Sequence, residues 1–110
     1  MGAVNISEEV IAIIAGIAAV ECYGLVGMAS RKLKDGIYQI LGKEDIKKGV
    51  EVSISGREVT LGLYIVVGYG VNIAEVAKNV IERVKYNVEN QTGLVVKKIN
   101  VNVQGVKLNT

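Results

Sequence analysis

The sequence predicts a single α+β domain over residues 1–110, in which a three-stranded mixed sheet carries two main helices on one face. Three observations predict it. Ile73, Val76, Ala77, Val80, Ile81, Val84 and Val88 recur with a 3.6-residue period, which a helix gathers onto one face. Residues 50–54 and 58–67 each alternate apolar and polar side chains about the turn Ser55-Gly56-Arg57, the pattern of an antiparallel hairpin with one apolar face. A third alternating run, residues 95–103, follows the periodic helix, and a right-handed crossover through that helix sets it parallel to the second strand in the same sheet.

In chain order, Ser7 is a strong helix N-cap, and Glu8 and Glu9 place negative charge where the helix dipole favours it, so a helix is expected over residues 7–22. Its apolar positions Val10, Ile11, Ile13, Ile14, Ile17, Ala18 and Val20 cover more than one face. Either the monomer buries this helix deeply or a partner, with a second copy the main rival, covers the excess. Cys22 closes the helix and is expected to be buried. Gly24, Gly27 and Met28 mark residues 23–30 as a turn. Over residues 31–41, Leu33, Ile37, Ile40 and Leu41 fall at helical spacing beside Arg31, Lys32 and Lys34. This is a weaker amphipathic helix, in which Gly36 costs about 1 kcal/mol relative to Ala. Residues 42–49 read as a polar loop and the most mobile stretch. Asn72 with Glu75 resembles a capping box, and that helix runs to about Gln91 and stops at Thr92-Gly93, where Gly can take the left-handed position. In the last strand Ile99, Val101 and Val103 point inward and Lys98, Asn100, Asn102 and Gln104 outward.

Half of the 110 residues are hydrophobic, 22% are charged and none is Pro, which suits one packed core and excludes disorder. A net charge of +2 is too mild to single out a nucleic-acid partner. With no His, no Trp and one Cys, most nucleophilic, proton-transfer and metal chemistry lacks its residues. No catalytic residue, cofactor or metal ligand is expected, and the chain reads as a non-enzyme. One Cys forms no internal disulfide, so an oxidising compartment is not required. The apolar run 10–20 is bracketed by Glu8, Glu9 and Glu21, has no basic leader and falls short of the ~20 residues of a membrane span. A cytoplasmic chain without a span is the expectation.

Gly68-Tyr69-Gly70 lies between a strand and a helix start, where glycine loops cradle phosphate, but the third fingerprint position is Ile73 and no P-loop Lys follows. A tight turn is the better reading. Gly24-Leu25-Val26-Gly27 has the GXXG spacing of the KH loop that clamps a nucleic-acid backbone, with apolar middle residues where Lys or Arg would serve better. Tyr64 is the one aromatic placed on the open sheet face, too few for a base-stacking platform. Arg31, Lys32, Lys34, Lys43, Lys47 and Lys48 outnumber Asp35, Glu44 and Asp45 and make residues 31–48 the most basic region. Arg31, Lys32, Lys34 and Tyr64 are therefore the candidate partner-binding residues, toward an acidic partner or an anionic membrane surface.

Five blocks carry a family resemblance in the right order over residues 3–107. They are Asn5-Ile-Ser-Glu-Glu-Val-Ile-Ala-Ile-Ile-Ala, Glu21-Cys-Tyr-Gly-Leu, Lys48-Gly49-Val50-Glu51-Val52, Ile65-Val-Val-Gly-Tyr-Gly and Glu89-Asn-Gln-Thr-Gly-Leu-Val-Val-Lys-Lys-Ile-Asn-Val-Asn-Val-Gln-Gly-Val. Together they resemble the alkaline shock protein family of Gram-positive bacteria, also called the envelope stress response family. Ending at Thr110 without an extended polar tail, the chain is most similar to the short members. The resemblance implies a bacterial cytoplasmic protein of the general or envelope stress response, in a family whose molecular activity is undefined. It also implies self-association into a homo-oligomer and attachment to the membrane through an anchoring protein partner. The expected function is a non-catalytic scaffold or adaptor; the alternative is a KH-like RNA-binding module using Gly24 and Gly27.

Overall fold

The computed structural model describes residues 6–31 and 39–108. The Ser7 hydroxyl accepts a hydrogen bond from the Val10 amide at 3.2 Å and starts α1 (Glu8–Val20). There follow β1 (Leu25–Met28), a 3-10 helix (Lys43–Gly49), β2 (Val50–Ser55), β3 (Glu58–Gly68), α2 (Ile73–Thr92) and β4 (Val95–Lys107). α2 has both expected caps. Asn72 Oδ1 accepts from the Glu75 amide at 3.0 Å, and Gly93 adopts φ 75°, closing the helix with its amide on Glu89 O at 2.9 Å.

β3 is the central strand. One edge pairs antiparallel with β2 over residues 58–63 and, further along, with β1 over residues 65–67; the other edge pairs parallel with β4. Val59, Leu61, Leu63, Ile65 and Val67 point to the helical side and are fully buried, as are Val80, Val84 and Val88 of α2. Each such side chain contributes roughly 1.5–3 kcal/mol by leaving water. α1 completes this layer with Ile11, Ala12, Ala15, Ala18 and Ala19. Cys22 is buried with them, as expected.

The sheet is three strands wide, as predicted, but holds four strands: residues 25–28, expected to be part of a turn over 23–30, form β1. β1 lacks a clean alternation because Val26 is an extra residue in a bulge against β3. β4 also continues four residues past Val103, since bulges at Lys97 and Gln104 break the period-2 pattern that marks a strand. Residues 43–49 form a 3-10 helix rather than a polar loop. Its buried Ile46 packs on Gly16 so closely that a Cβ there would lie 3.1 Å from Ile46 Cγ1. Of the helix expected over residues 31–41, residues 32–38, with Lys32 and Lys34, lie outside the described residues. Its far flank is extended: Ile40 bridges Ala29, and the Leu41 amide donates to Met28 O at 2.8 Å.

Candidate interaction surface

α1 is inverted relative to an ordinary amphipathic helix. Apart from Ile11, the residues it buries are small: Ala12, Ala15, Gly16, Ala18 and Ala19. Its larger side chains face outward: Val10, Ile17 and Val20 are 47%, 48% and 38% exposed, with Ile13 and Ile14 half-buried between them. The small inner residues let the 3-10 helix and the sheet approach closely, and the helical period then leaves the branched residues on the far side. Charge rims the stripe. Glu9 pairs with Lys47 at 3.1 Å at one end and Glu21 with Arg83 of α2 at 3.4 Å at the other. An apolar strip bounded by exposed ion pairs has the layout of a protein contact.

On the opposite side of the sheet, Tyr64 Oη donates to Glu51 Oε1 at 2.7 Å, and Arg31 Nη1 lies 3.6 Å from Glu51 Oε2. Two of the candidate partner-binding residues, Arg31 and Tyr64, thus converge on one carboxylate. The hydrogen bond to Glu51 raises the Tyr64 phenol above its ordinary 10.0, with burial and the Glu51 charge adding and Arg31 opposing. A raised folded value means that this stabilisation is complete below pH 10.0 and is lost as pH rises through the folded value. Absorbance titration of the wild type against Tyr64→Phe should therefore reveal one phenol ionising later than a free tyrosine. Ionisation at or before the ordinary value would show that the Glu51 bond is not made in solution.

The glycine motifs have structural explanations. Gly27 lies inside β1, and a Cβ on it would come 3.2 Å from Ile40 Cγ2. Gly24 precedes the strand with φ +90° and its carbonyl accepts the Gly68 amide at 2.9 Å. Gly24 and Gly27 consequently do not bracket a free loop between two helices, which is the setting a KH clamp needs. At the other motif, the amides of Gly68 and Tyr69 already donate to Gly24 O and Lys107 O, so neither is offered to a phosphate.

A cleft between the end of α1 and α2 is lined by Cys22, Tyr23, Arg83 and Tyr86. Burial pushes the Cys22 thiol up, with Arg83 opposing and Glu21 adding, which keeps it protonated and weakly nucleophilic. Among the described residues no group of three or more His, Cys, Asp or Glu side chains could hold a metal ion, and no helix is long and apolar enough to cross a membrane.

Residues 1–108 match the alkaline shock protein 23 family, described as having a cell envelope-related function. The chain belongs to this family. It is 50% identical to the uncharacterized protein YloU of Bacillus subtilis (strain 168) over 108 residues, covering 97% of this chain and 90% of that protein. It is 44% identical over 108 residues to the uncharacterized protein Spy1614 of Streptococcus pyogenes serotype M6, covering 97% and 89%. A third relative, the uncharacterized protein YqhY of Bacillus subtilis, is 36% identical over 110 residues, covering 100% and 81%. No solved structure matches significantly.

In this alkaline shock protein 23 family member, four of the five blocks that carry the resemblance hold a glycine that the fold requires, for close approach or for positive φ. Gly24 meets α2, and a Cβ on Gly49 would lie 2.8 Å from Ala29 O. Gly70 takes φ +85° in the turn before α2, and Gly93 ends that helix. Fold geometry accounts for these glycines without a ligand.

Proposed function

We propose that this chain is a non-catalytic scaffold or adaptor of bacterial envelope stress, acting through self-association and through protein partners. A membrane-anchoring protein is one such partner, so the chain works in the cytoplasm and reaches the membrane by attachment. The inverted α1 carries the partner-binding part of this reading: a small domain that buries alanines while presenting Val10, Ile17 and Val20 has a surface suited to another protein. Covering one half-exposed Val or Ile is worth roughly 1 kcal/mol, so the stripe supports a modest, reversible contact rather than a permanent one. The family's cell envelope-related description supports the setting.

The test is recovery of tagged protein from native bacterial lysate, split into membrane and soluble fractions, with wild type beside Ile17→Asp. Because Ile17 is 48% exposed, the variant should stay folded, with a stability change within about 1 kcal/mol. The wild type should recover a specific membrane or envelope protein irrespective of nuclease, and the variant should lose most of it. Equal recovery by both proteins, or recovery that disappears with nuclease, would defeat the adaptor reading.

A further inference from the structure

β4 is a 13-residue strand whose outer edge pairs with no other strand among the described residues. Long flat edges attract a further strand unless charges or bulges protect them. Here the two bulges, at Lys97 and Gln104, guard only the ends, and residues 98–103 keep an unbroken register with residues 60–65 of β3. That regular stretch contains Ile99-Asn100-Val101-Asn102-Val103, which is nearly palindromic about Val101 and has no acidic residue.

The palindrome selects the occupant. Directly opposed residues in an antiparallel pair share a face, so a two-fold axis perpendicular to the sheet must pass through a residue position. Centred on Val101, the pairing sets Ile99 against Val103 of the second copy on the helical face and Asn100 against Asn102 of the second copy on the open face. Asn102 Nδ2 already donates to Leu63 O at 3.3 Å, which leaves its Oδ1 to accept from the side-chain Nδ2 of the incoming Asn100. Lysines avoid one another: Lys98 faces Gln104, Lys97 faces Gly105 and Lys107 faces Val95. Centring on Asn100 would oppose Val103 to Lys97. Val103 and Val106 lie on the helical face, 37% and 46% exposed, so the edge also carries apolar surface for a second copy to cover.

We propose that two copies associate through β4, antiparallel about Val101, joining their sheets into one with both α2 helices on the same side. This inference rests on the self-association part of the proposed function and supplies its surface. The stretch from Lys98 to Lys107, clear of the Val96 amide that donates to Glu89 Oε2 at 2.8 Å, is about 33 Å long. A strand-width strip of that length falls short of the ~800 Å² per partner typical of a stable complex, so the dimer should be reversible and concentration-dependent.

Sedimentation velocity on the full chain, from micromolar to millimolar, tests it with three variants checked for folding by circular dichroism. Asn100→Lys with Asn102→Lys puts like charges opposite one another at both amide pairs and should weaken the dimer about ten-fold. Asn100→Asp with Asn102→Lys puts opposite charges there and should restore or tighten it; centring on Asn100 would instead oppose Asp to Asp and weaken it. Ile17→Asp should leave the dimer intact. A chain monomeric at millimolar concentration, a double-lysine variant that dimerises like wild type, or a dimer lost in Ile17→Asp would each overturn the β4 assignment. So would a monomer whose β4 edge takes up an acidic extended peptide. The two readings can fail separately: a monomer that still captures its partner through α1 sinks only the β4 dimer, whereas a β4 dimer whose partner capture ignores Ile17→Asp sinks only the adaptor.

Discussion

Gly24→Ala should cost about 3 kcal/mol of folding stability, while the same substitution at Gly70 should cost about 1 kcal/mol. Both residues have left-handed backbones, φ +90° and φ +85°, so both variants carry the conformational penalty of an L side chain in that region. Their surroundings differ. A Cβ on Gly24 would lie 2.8 Å from Val76 Cγ2 and 3.4 Å from Val71 Cγ1, whereas one on Gly70 would meet nothing within 4 Å. Val76 is a buried β-branched residue of α2 with a stiff χ1, so it cannot swing away, and α2 must shift instead. Urea denaturation midpoints of the two variants isolate the steric part. Equal losses would show that Val76 yields and that the α1–β1 corner is looser than its geometry indicates.

The second large effect is expected at Leu61, fully buried in the middle of β3 between Val52 of β2 and Ile99 of β4. Leu61→Ala removes buried methyl groups and leaves a cavity that paired strands on both sides cannot collapse, so the loss should be about 3–4 kcal/mol. For a domain of this size, whose total stability is of the order of 5–15 kcal/mol, that is a large fraction. Ile17→Ala is the comparison, because both residues are large and aliphatic. With Ile17 48% exposed, its truncation should cost less than about 1 kcal/mol. Thermal or urea unfolding of the pair distinguishes core from surface. A cost at Ile17 as large as at Leu61 would make the α1 stripe part of the monomer's own packing and remove the interaction surface.

How much of this molecule was legible in advance follows from which signals are local. α2 could be placed from residues alone because its stripe, its Asn72 cap and its Gly93 stop all lie within one helix. β2 and β3 were legible for the same reason, with alternation and a turn in one short segment, and the parallel placement of β4 followed from crossover handedness. β1 was not legible, since four residues with a bulge have no periodicity of their own and become a strand only because β3 extends past β2. The 3-10 helix has no local signal, because its one buried side chain, Ile46, is surrounded in sequence by charges. Nothing nearby in the chain shows that Gly16 is its seat.

The candidate surface divides along the same line. Composition and spacing alone determined that α1 carries more apolar surface than one face can hold, that Tyr64 stands on the open side of the sheet, and that the residues for most site chemistry are missing. Tertiary structure decided which α1 residues are inward, that Tyr64 and Arg31 share Glu51, that Gly24 and Gly27 serve packing, and that the outer edge of β4 pairs with no other strand among the described residues. The reason is physical: hydrophobic period and capping act between residues a few positions apart, whereas a face becomes inside or outside, and an edge paired or open, only when distant segments compete for the same neighbours.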